Sequence, residues 1–335
     1  MVYKPRPKKV RLFYLVQFER RKKKMNDIYT ITETLRDRAA ALAPFIGRTP
    51  LFPITRLHSN PNVKIFAKLE WQQLSNSVKA RAAYNIISNA IKEGHIDQEK
   101  GIIDASSGNT AVAYATIGAN LGIPVTLCVP ENASQQKKSA LKALGAHIVY
   151  TSRFGTTDEA QAKARSLAAE YPDRYYYTDQ YANEYNWKAH FNGTGPEIWE
   201  QTQGKITHYV AGLGTTGTFI GTSRRLKQFN PDISVISLQP DSAMHGLEGW
   251  KHLESALVPR IYDDTVADRN LFIDTMEAYD LIRRTAQLEG LLLSPSSAAN
   301  LAGALQVAQT LEEGVIVTIF PDHASNYPEI LEHIL

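Results

Sequence analysis

The stretch Gly101-Ile-Ile-Asp-Ala-Ser-Ser-Gly-Asn-Thr110 decides how the chain is read. A short apolar run, Gly101 to Asp104, gives way to hydroxyls, a glycine and an amide, and a helical pattern then runs from Asn109 to Ala119. The same order of strand, loop and helix recurs on both sides. Downstream it predicts strands at Val125 to Val129 and His147 to Tyr150, with helices at Ser134 to Leu144 and Thr157 to Ala169. A later series places strands at Ile206 to Ala211, Ser234 to Leu238 and Val315 to Phe320, with a helix at Thr218 to Phe229. Upstream, Thr32 to Leu42 reads as a helix and Val63 to Leu69 as a half-buried strand. Such alternation with short connections predicts an α/β fold of mostly parallel, twisted sheets with helices on both faces. Ligands are then expected beyond the carboxyl ends of the strands.

A chain of 335 residues exceeds one ordinary core and predicts two domains. The apolar runs are far shorter than the roughly 20 residues that cross a bilayer, so no membrane span is expected. The single cysteine, Cys128, excludes an internal disulfide and fits a reducing cytoplasm. Set in Val125-Thr-Leu-Cys-Val129, it reads as a small buried hydrophobe. Residues 1–24 hold ten Lys or Arg against one Glu, whereas the whole chain has a net charge of +3, so the remainder is acidic. This extension reads as disordered, with an organellar transit peptide and a nucleic-acid arm as the competing readings. It is assigned no part in the chemistry, and no nucleic-acid partner is expected. The histidines form no metal-like cluster, and no metal is assigned.

Three places carry chemistry. Lys79 lies where the polar turn Gln73-Leu-Ser-Asn-Ser77 meets a helical pattern, Ala80 through Lys92. A positive helix end and Arg81 would both disfavour its charge there, although a lone lysine is usually a solvated surface group. The loop Ser106-Ser-Gly-Asn-Thr110 offers side-chain and backbone donors to a carboxylate, or is a plain serine N-cap. The loop Gly212-Leu-Gly-Thr-Thr-Gly-Thr218 crowds backbone N–H groups at a helix start, as a phosphate cup does. It also matches the Gly-x-Gly-x-x-Gly of dinucleotide folds, and Asp241 lies where a ribose-binding acid would be sought. An NAD-dependent oxidoreductase is therefore the different-class alternative. It leaves Lys79 and the Ser106 loop without work, whereas a single phosphate on Thr215, Thr216 and Thr218 does not.

Together these blocks resemble the fold type II pyridoxal-phosphate enzymes, in the branch of cysteine synthase and cystathionine β-synthase. The resemblance runs from Ile46 to the C-terminus, through Ile46-Gly-Arg-Thr-Pro-Leu51, Ser77-Val-Lys-Ala-Arg81, Ser107-Gly-Asn-Thr110, Gln180-Tyr-Ala-Asn183, Gly193-Thr-Gly-Pro-Glu197, Gly212 to Thr218 and Glu289 to Ser297. The cysteine synthase B type is the most similar. The resemblance implies that Lys79 holds pyridoxal 5′-phosphate as a Schiff base and then removes the substrate α-proton. It implies that Gly214, Thr215, Thr216, Gly217 and Thr218 bind the phosphate, that Asn109 bonds the ring 3′-oxygen and that Ser296 faces the ring nitrogen. Ser106, Ser107, Thr110 and Gln180 would hold the substrate carboxylate.

The implied reaction is β-replacement: O-acetylserine or O-phosphoserine and sulfide give L-cysteine through an aminoacrylate. Cystathionine synthesis, serine or threonine dehydration and a specialised β-substituted alanine remain alternatives, as does a non-catalytic homologue. A haem-binding N-terminal pair and a regulatory domain are not seen, which argues against a full-length regulated cystathionine β-synthase. The implied fold is tryptophan synthase β-like, with a smaller domain at 73–183 and a larger phosphate-binding domain of 25–72 plus 184–335, in a cytoplasmic homodimer. Gln73, Leu74, Asn76 and Ala80 depart from the family's usual asparagine, proline, glycine and aspartate. Gln239 to Gly249 and Pro321-Asp-His-Ala-Ser325 also depart, and these changes bear on substrate choice. His245 reads either as a donor to the leaving group or as a surface residue.

Overall fold

The computed structural model describes residues 34–155 and 157–334. The expectation for residues 1–24 lies outside them. The described chain begins with α1, Leu35–Leu42, whose N-cap Thr34 and N3 residue Asp37 form a reciprocal capping box. Two strands follow, β1 (Leu51–Ile54) and β2 (Val63–Leu69), and then α2 (Lys79–Lys92). Next come β3 (Gly101–Ala105), α3 (Asn109–Leu121), β4 (Val125–Pro130), α4 (Gln135–Ala143), β5 (His147–Thr151), α5 (Thr157–Glu170) and β6 (Tyr175–Tyr177). Helix α6 (Glu184–Ala189), a π-turn at His190–Thr194 and α7 (Gly195–Gln201) lead to β7 (His208–Gly212), α8 (Gly217–Phe229), β8 (Ser234–Pro240) and β9 (Arg269–Ile273). The chain closes with α9 (Thr275–Glu289), α10 (Pro295–Ala308), β10 (Gly314–Phe320) and α11 (Pro328–Ile334).

The strands form two sheets, as the alternation of patterns predicts. One has four strands in the order β5-β4-β3-β6, all parallel. The other has six in the order β1-β2-β10-β7-β8-β9, in which β1 alone runs antiparallel to its neighbour. Both sheets bury both faces. On β10, Ile316 and Phe320 join one apolar cluster while Val317 and Ile319 join another on the opposite side. On β4, Leu127 and Cys128 part in the same way. Cys128 is fully buried, and burial pushes its thiol up to about 11, so it is a packed side chain. Period-two alternation between two helical layers requires this pattern.

A cluster of buried charges interrupts the apolar interior. Arg81 on α2 donates from Nε and Nη2 to both oxygens of Glu70 (2.6 and 2.8 Å), and from Nη1 and Nη2 to both oxygens of Glu197 on α7 (2.6 and 2.8 Å). Lys68, on β2, completes the set at 2.7 Å from Glu197. Two cations and two anions therefore cancel where water is excluded. Burial alone would raise Glu197, but Arg81 and Lys68 outweigh it and hold the carboxyl at about 2. Removing one member strands a buried charge. We expect Arg81→Met to lower the unfolding free energy in urea by about 3–5 kcal/mol at neutral pH. Because Glu197 titrates lower in the folded chain than in the unfolded one, its contribution is complete above about pH 4.5 and fades as pH falls toward 2. A Glu197→Gln variant should show a shallower loss of stability across that window.

Candidate active site

A cavity of about 460 Å3 opens at the carboxyl ends of β3, β7, β8 and β10. Its wall is built from loops that leave parallel strands, so side chains far apart in sequence converge.

Lys79 is the first residue of α2 and is half-buried, opening on the cavity. The turn before it puts Ser75 and Asn76 in left-handed backbone, φ 66° and 52°. Asparagine accepts that conformation better than most residues, which explains how Asn76 stands where the family has glycine. The turn is tied down by Val78 N–H donating to Pro321 C=O (2.8 Å) and by an antiparallel bridge from Ser77 to Asp322. Burial lowers the Lys79 pKa, and the nearby Asp322 carboxylate opposes the shift. The expected contribution from Arg81 is corrected here. Its charge is matched by Glu70 and Glu197, and desolvation is what disfavours the ammonium.

The glycine–threonine loop expected to take a phosphate follows β7. Gly214 has no room for a side chain, since a Cβ would lie 2.2 Å from the Gly249 carbonyl oxygen. Gly217 is off the cavity wall and admits Asn186, whose Oδ1 would be 2.1 Å from an added Cβ. Asn186 in turn donates to Thr215 Oγ1 (3.1 Å) and to the Gln180 carbonyl (2.7 Å). Thr216 caps α8 at φ 70°, a costly conformation for a β-branched residue, and its buried Oγ1 has no hydrogen-bond partner among the described residues. Thr218 Oγ1 lies 3.2 Å from His190 Nε2. Burial drives His190 down to about 3, so its ring is neutral. A strained backbone and an orphaned hydroxyl at a helix N-terminus fit an anion, and a monophosphate fits this donor set.

The second loop sits at the start of α3. Ser106, Ser107, Asn109 and Thr110 all line the cavity, and the helix begins without a side-chain cap, so the plain N-cap reading is set aside. Thr110 Oγ1 donates to Gln180 Oε1 (2.7 Å), and Gln180 Nε2 donates to the Ala105 carbonyl (3.2 Å). Beneath them Asp104 is fully buried and burial raises it to about 6, although Thr178 and two backbone N–H groups donate to it. Ser296 and His245 also line the cavity, whereas Asp241 is exposed and does not. Burial, aided by His252, lowers the His245 pKa, and its Nδ1 accepts from Leu247 N–H (3.2 Å). A neutral imidazole so bonded carries its proton on Nε2.

Sequence reading missed Asn186, His190, Asp104 and Asp322. Among the described residues, no cluster of His, Cys, Asp or Glu could hold a metal, and no helix is long and apolar enough to cross a membrane.

A lysine opening one helix and a glycine–threonine loop opening another, both on a single cavity of an α/β fold of mostly parallel sheets, define the fold type II class of pyridoxal-phosphate enzymes. Residues 42–322 match the model of the family described as pyridoxal-phosphate dependent enzyme, and the chain belongs to that family. That membership removes the dinucleotide reading of Gly212 to Gly217. The chain is 44% identical to a cysteine synthase of Aquifex aeolicus, over 88% of this chain and 92% of the relative. It is 37% identical to cysteine synthase B of Pseudomonas aeruginosa, over 85% and 95% respectively. Among solved structures it resembles an O-acetylserine-dependent cystathionine β-synthase from Helicobacter pylori, with a TM-score of 0.80, 32% identity and coverage of 90% of this chain and 98% of that one.

Thr216→Val keeps the branched shape and removes the unpartnered hydroxyl. It should weaken pyridoxal-phosphate binding about tenfold to a hundredfold, the worth of one hydrogen bond to a charged group. The cofactor-free protein should melt no lower than wild type, read by fluorescence titration and thermal denaturation.

Proposed function

We propose that this protein is a cysteine synthase that joins sulfide to an activated serine, O-acetylserine or O-phosphoserine, by β-replacement. The observation that carries the reading is the convergence of Lys79, the Thr216 cup and the Ser106 to Thr110 loop on one cavity. The cofactor phosphate would lie in the cup, held by Gly214, Thr215, Thr216 and Thr218 with Gly217 opening the helix, while Asn109 and Ser296 would flank the ring. When bound through Lys79, pyridoxal phosphate supplies a sink for the electron pair left behind by the substrate α-proton.

The chain's own groups supply the rest. The first N–H groups of α3 and the hydroxyls of Ser106, Ser107 and Thr110, with Gln180, would fix the substrate carboxylate and so orient its α-carbon. Charge-assisted bonds of this kind favour one pose over its mirror. Lys79, released by the incoming amine, would take the α-proton at Nζ. Desolvation suits it to this, because a lowered pKa raises the neutral fraction near neutral pH. His245, with its proton on Nε2, could donate to the departing oxygen without placing a charge in the cavity.

Homocysteine is the competing acceptor, favoured by the likeness to the O-acetylserine-dependent cystathionine β-synthase. A cytoplasmic homodimer belongs to the same proposal.

Two measurements test this. Cofactor-loaded protein should absorb near about 410 nm, and borohydride should fix the cofactor onto Lys79, as expected of the lysine-bound aldehyde. Lys79→Ala should lose the band, and its survival there would overturn the assignment. Turnover of O-acetylserine, O-phosphoserine and serine against sulfide and homocysteine should be fastest for an activated serine with sulfide. In addition, the rate of cofactor capture should rise with pH with a midpoint below 10.5, since only the neutral amine attacks the aldehyde.

A further inference from the structure

Asp104 is a fully buried acid that the proposed reaction leaves without work. It sits next to last on β3, behind the Ser106 to Thr110 loop and off the cavity wall. Its Oδ1 accepts from Ala105 N–H (2.7 Å), and its Oδ2 accepts from Thr178 Oγ1 (2.8 Å) and from Gln180 N–H (3.3 Å). Between those last two residues lies Asp179, in left-handed backbone at φ 40°. The carboxylate therefore grips a strained turn on both sides. The titratable groups facing it are Tyr114 from α3, Tyr177 from β6, Cys128 from β4, and Asp179 and Tyr181 from the turn itself. Helix α5 packs on the same strand, but its Lys163 acts on Cys128 and its Arg165 on Tyr177. Among the described residues no cation pairs with Asp104, and burial is what raises it.

The surroundings accommodate both forms of the acid. As a carboxylate it takes the single proton of Thr178 Oγ1, which lies closer to it than to the Ile103 carbonyl (2.8 against 3.4 Å). With one proton taken from water onto Oδ2, the acid donates to Thr178 Oγ1, and the threonine turns its own proton to Ile103. The loss falls on Gln180 N–H. It then meets a hydroxyl in place of a carboxylate, and a charge-assisted bond is gone. Gln180 is the residue that joins this turn to the cavity wall. Its Oε1 accepts from Thr110 Oγ1 (2.7 Å) and its Nε2 donates to the Ala105 carbonyl (3.2 Å), which leaves one amide N–H for a ligand.

We propose that Asp104 is a positioning residue for substrate recognition, whose carboxylate holds Gln180 against Thr110 and so sets how tightly the amino-acid substrate is gripped by its own carboxylate. This rests on the reading that the Ser106 to Thr110 loop and Gln180 take that group. Protonating Asp104 frees the turn at Gln180 and loosens the grip. The acid titrates at about 6, so the tight form prevails above that pH and the loose form below it.

The test compares wild type with Asp104→Asn, whose amide donates to Thr178 as the protonated acid does and cannot ionise. Both proteins, loaded with pyridoxal phosphate, are titrated with L-alanine, which has the substrate's amine and carboxylate and no leaving group, and binding is read from the cofactor absorbance. Taking the ratio of the two dissociation constants cancels the titration of the ligand and of Lys79. At about pH 7.5 the variant is expected to bind about tenfold more weakly, the worth of one hydrogen bond to a charged group, with the ratio closing toward one at about pH 5. A ratio that stays near tenfold at every pH overturns the proposal, because the defect would then not follow ionisation, and a ratio near one throughout overturns it as well. Wild type alone supplies a second reading, which decides the matter if Asp104→Asn does not fold. Exchange of the Gln180 backbone N–H, corrected for the chemical rate, should become about tenfold more protected between about pH 5 and 7.5, and unchanged protection overturns the proposal. If wild-type absorbance answers L-alanine at no pH, the functional reading fails and the proposal with it. If absorbance responds but the ratio does not move, only the role of Asp104 is lost.

Discussion

The position of Lys79 depends on a group of four buried charges that never touches the cavity. Glu70 leaves β2, Glu197 sits on α7, and Arg81 on the first turn of α2 reaches both with paired hydrogen bonds, while Lys68 balances the sum. Fork-to-carboxylate geometry is directional, so it fixes the rotation of α2 about its axis as well as its distance from the sheet. Two residues earlier on the same turn is the lysine. Replacing the cluster with apolar side chains could keep the interior filled, but the angular constraint would go.

With that helix fixed, the parallel sheets do the remaining assembly. Strands β3, β7, β8 and β10 all end on the same side, and each delivers a polar loop into a shared space. The second layer then decides what each loop can do. Asp104 anchors Gln180, Asn186 joins Gln180 to Thr215, and His190 backs Thr218. These contacts link the Ser106 to Thr110 side of the cavity to the Gly214 to Thr218 side, so neither can be displaced without disturbing the other.

Much of this was legible in the amino-acid sequence, for reasons that differ by residue. Strand and helix periods are local, and so was the alternation that gives parallel sheets. That Gly214 to Thr218 opens a helix after a strand was legible because the glycines and threonines sit between two local periods, an apolar run and a helical one. Arg81 was misread as a bare charge beside Lys79 because its partners lie 11 and 116 positions away. Asp322 stood out only as part of the departing segment Pro321 to Ser325, with no role of its own, for a similar reason. An acid after a strand reads as a surface group until the fold brings Asn109, 213 positions away, against it. The tolerance of Asn76 for a left-handed turn explains in backbone terms why a departure from the family pattern leaves the lysine in register.

The conformation of Thr216 reaches beyond binding. A threonine held at φ 70° with a buried hydroxyl that finds no partner among the described residues is a local penalty, and an anion bound as proposed would relieve part of it. Occupancy at a thousand times the dissociation constant adds about 4 kcal/mol to the folded state. On the scale of a domain's whole stability, that is enough to change how much protein survives cellular proteolysis. On the proposed function, this loop would therefore couple how firmly the chain holds its fold to whether an anion occupies it.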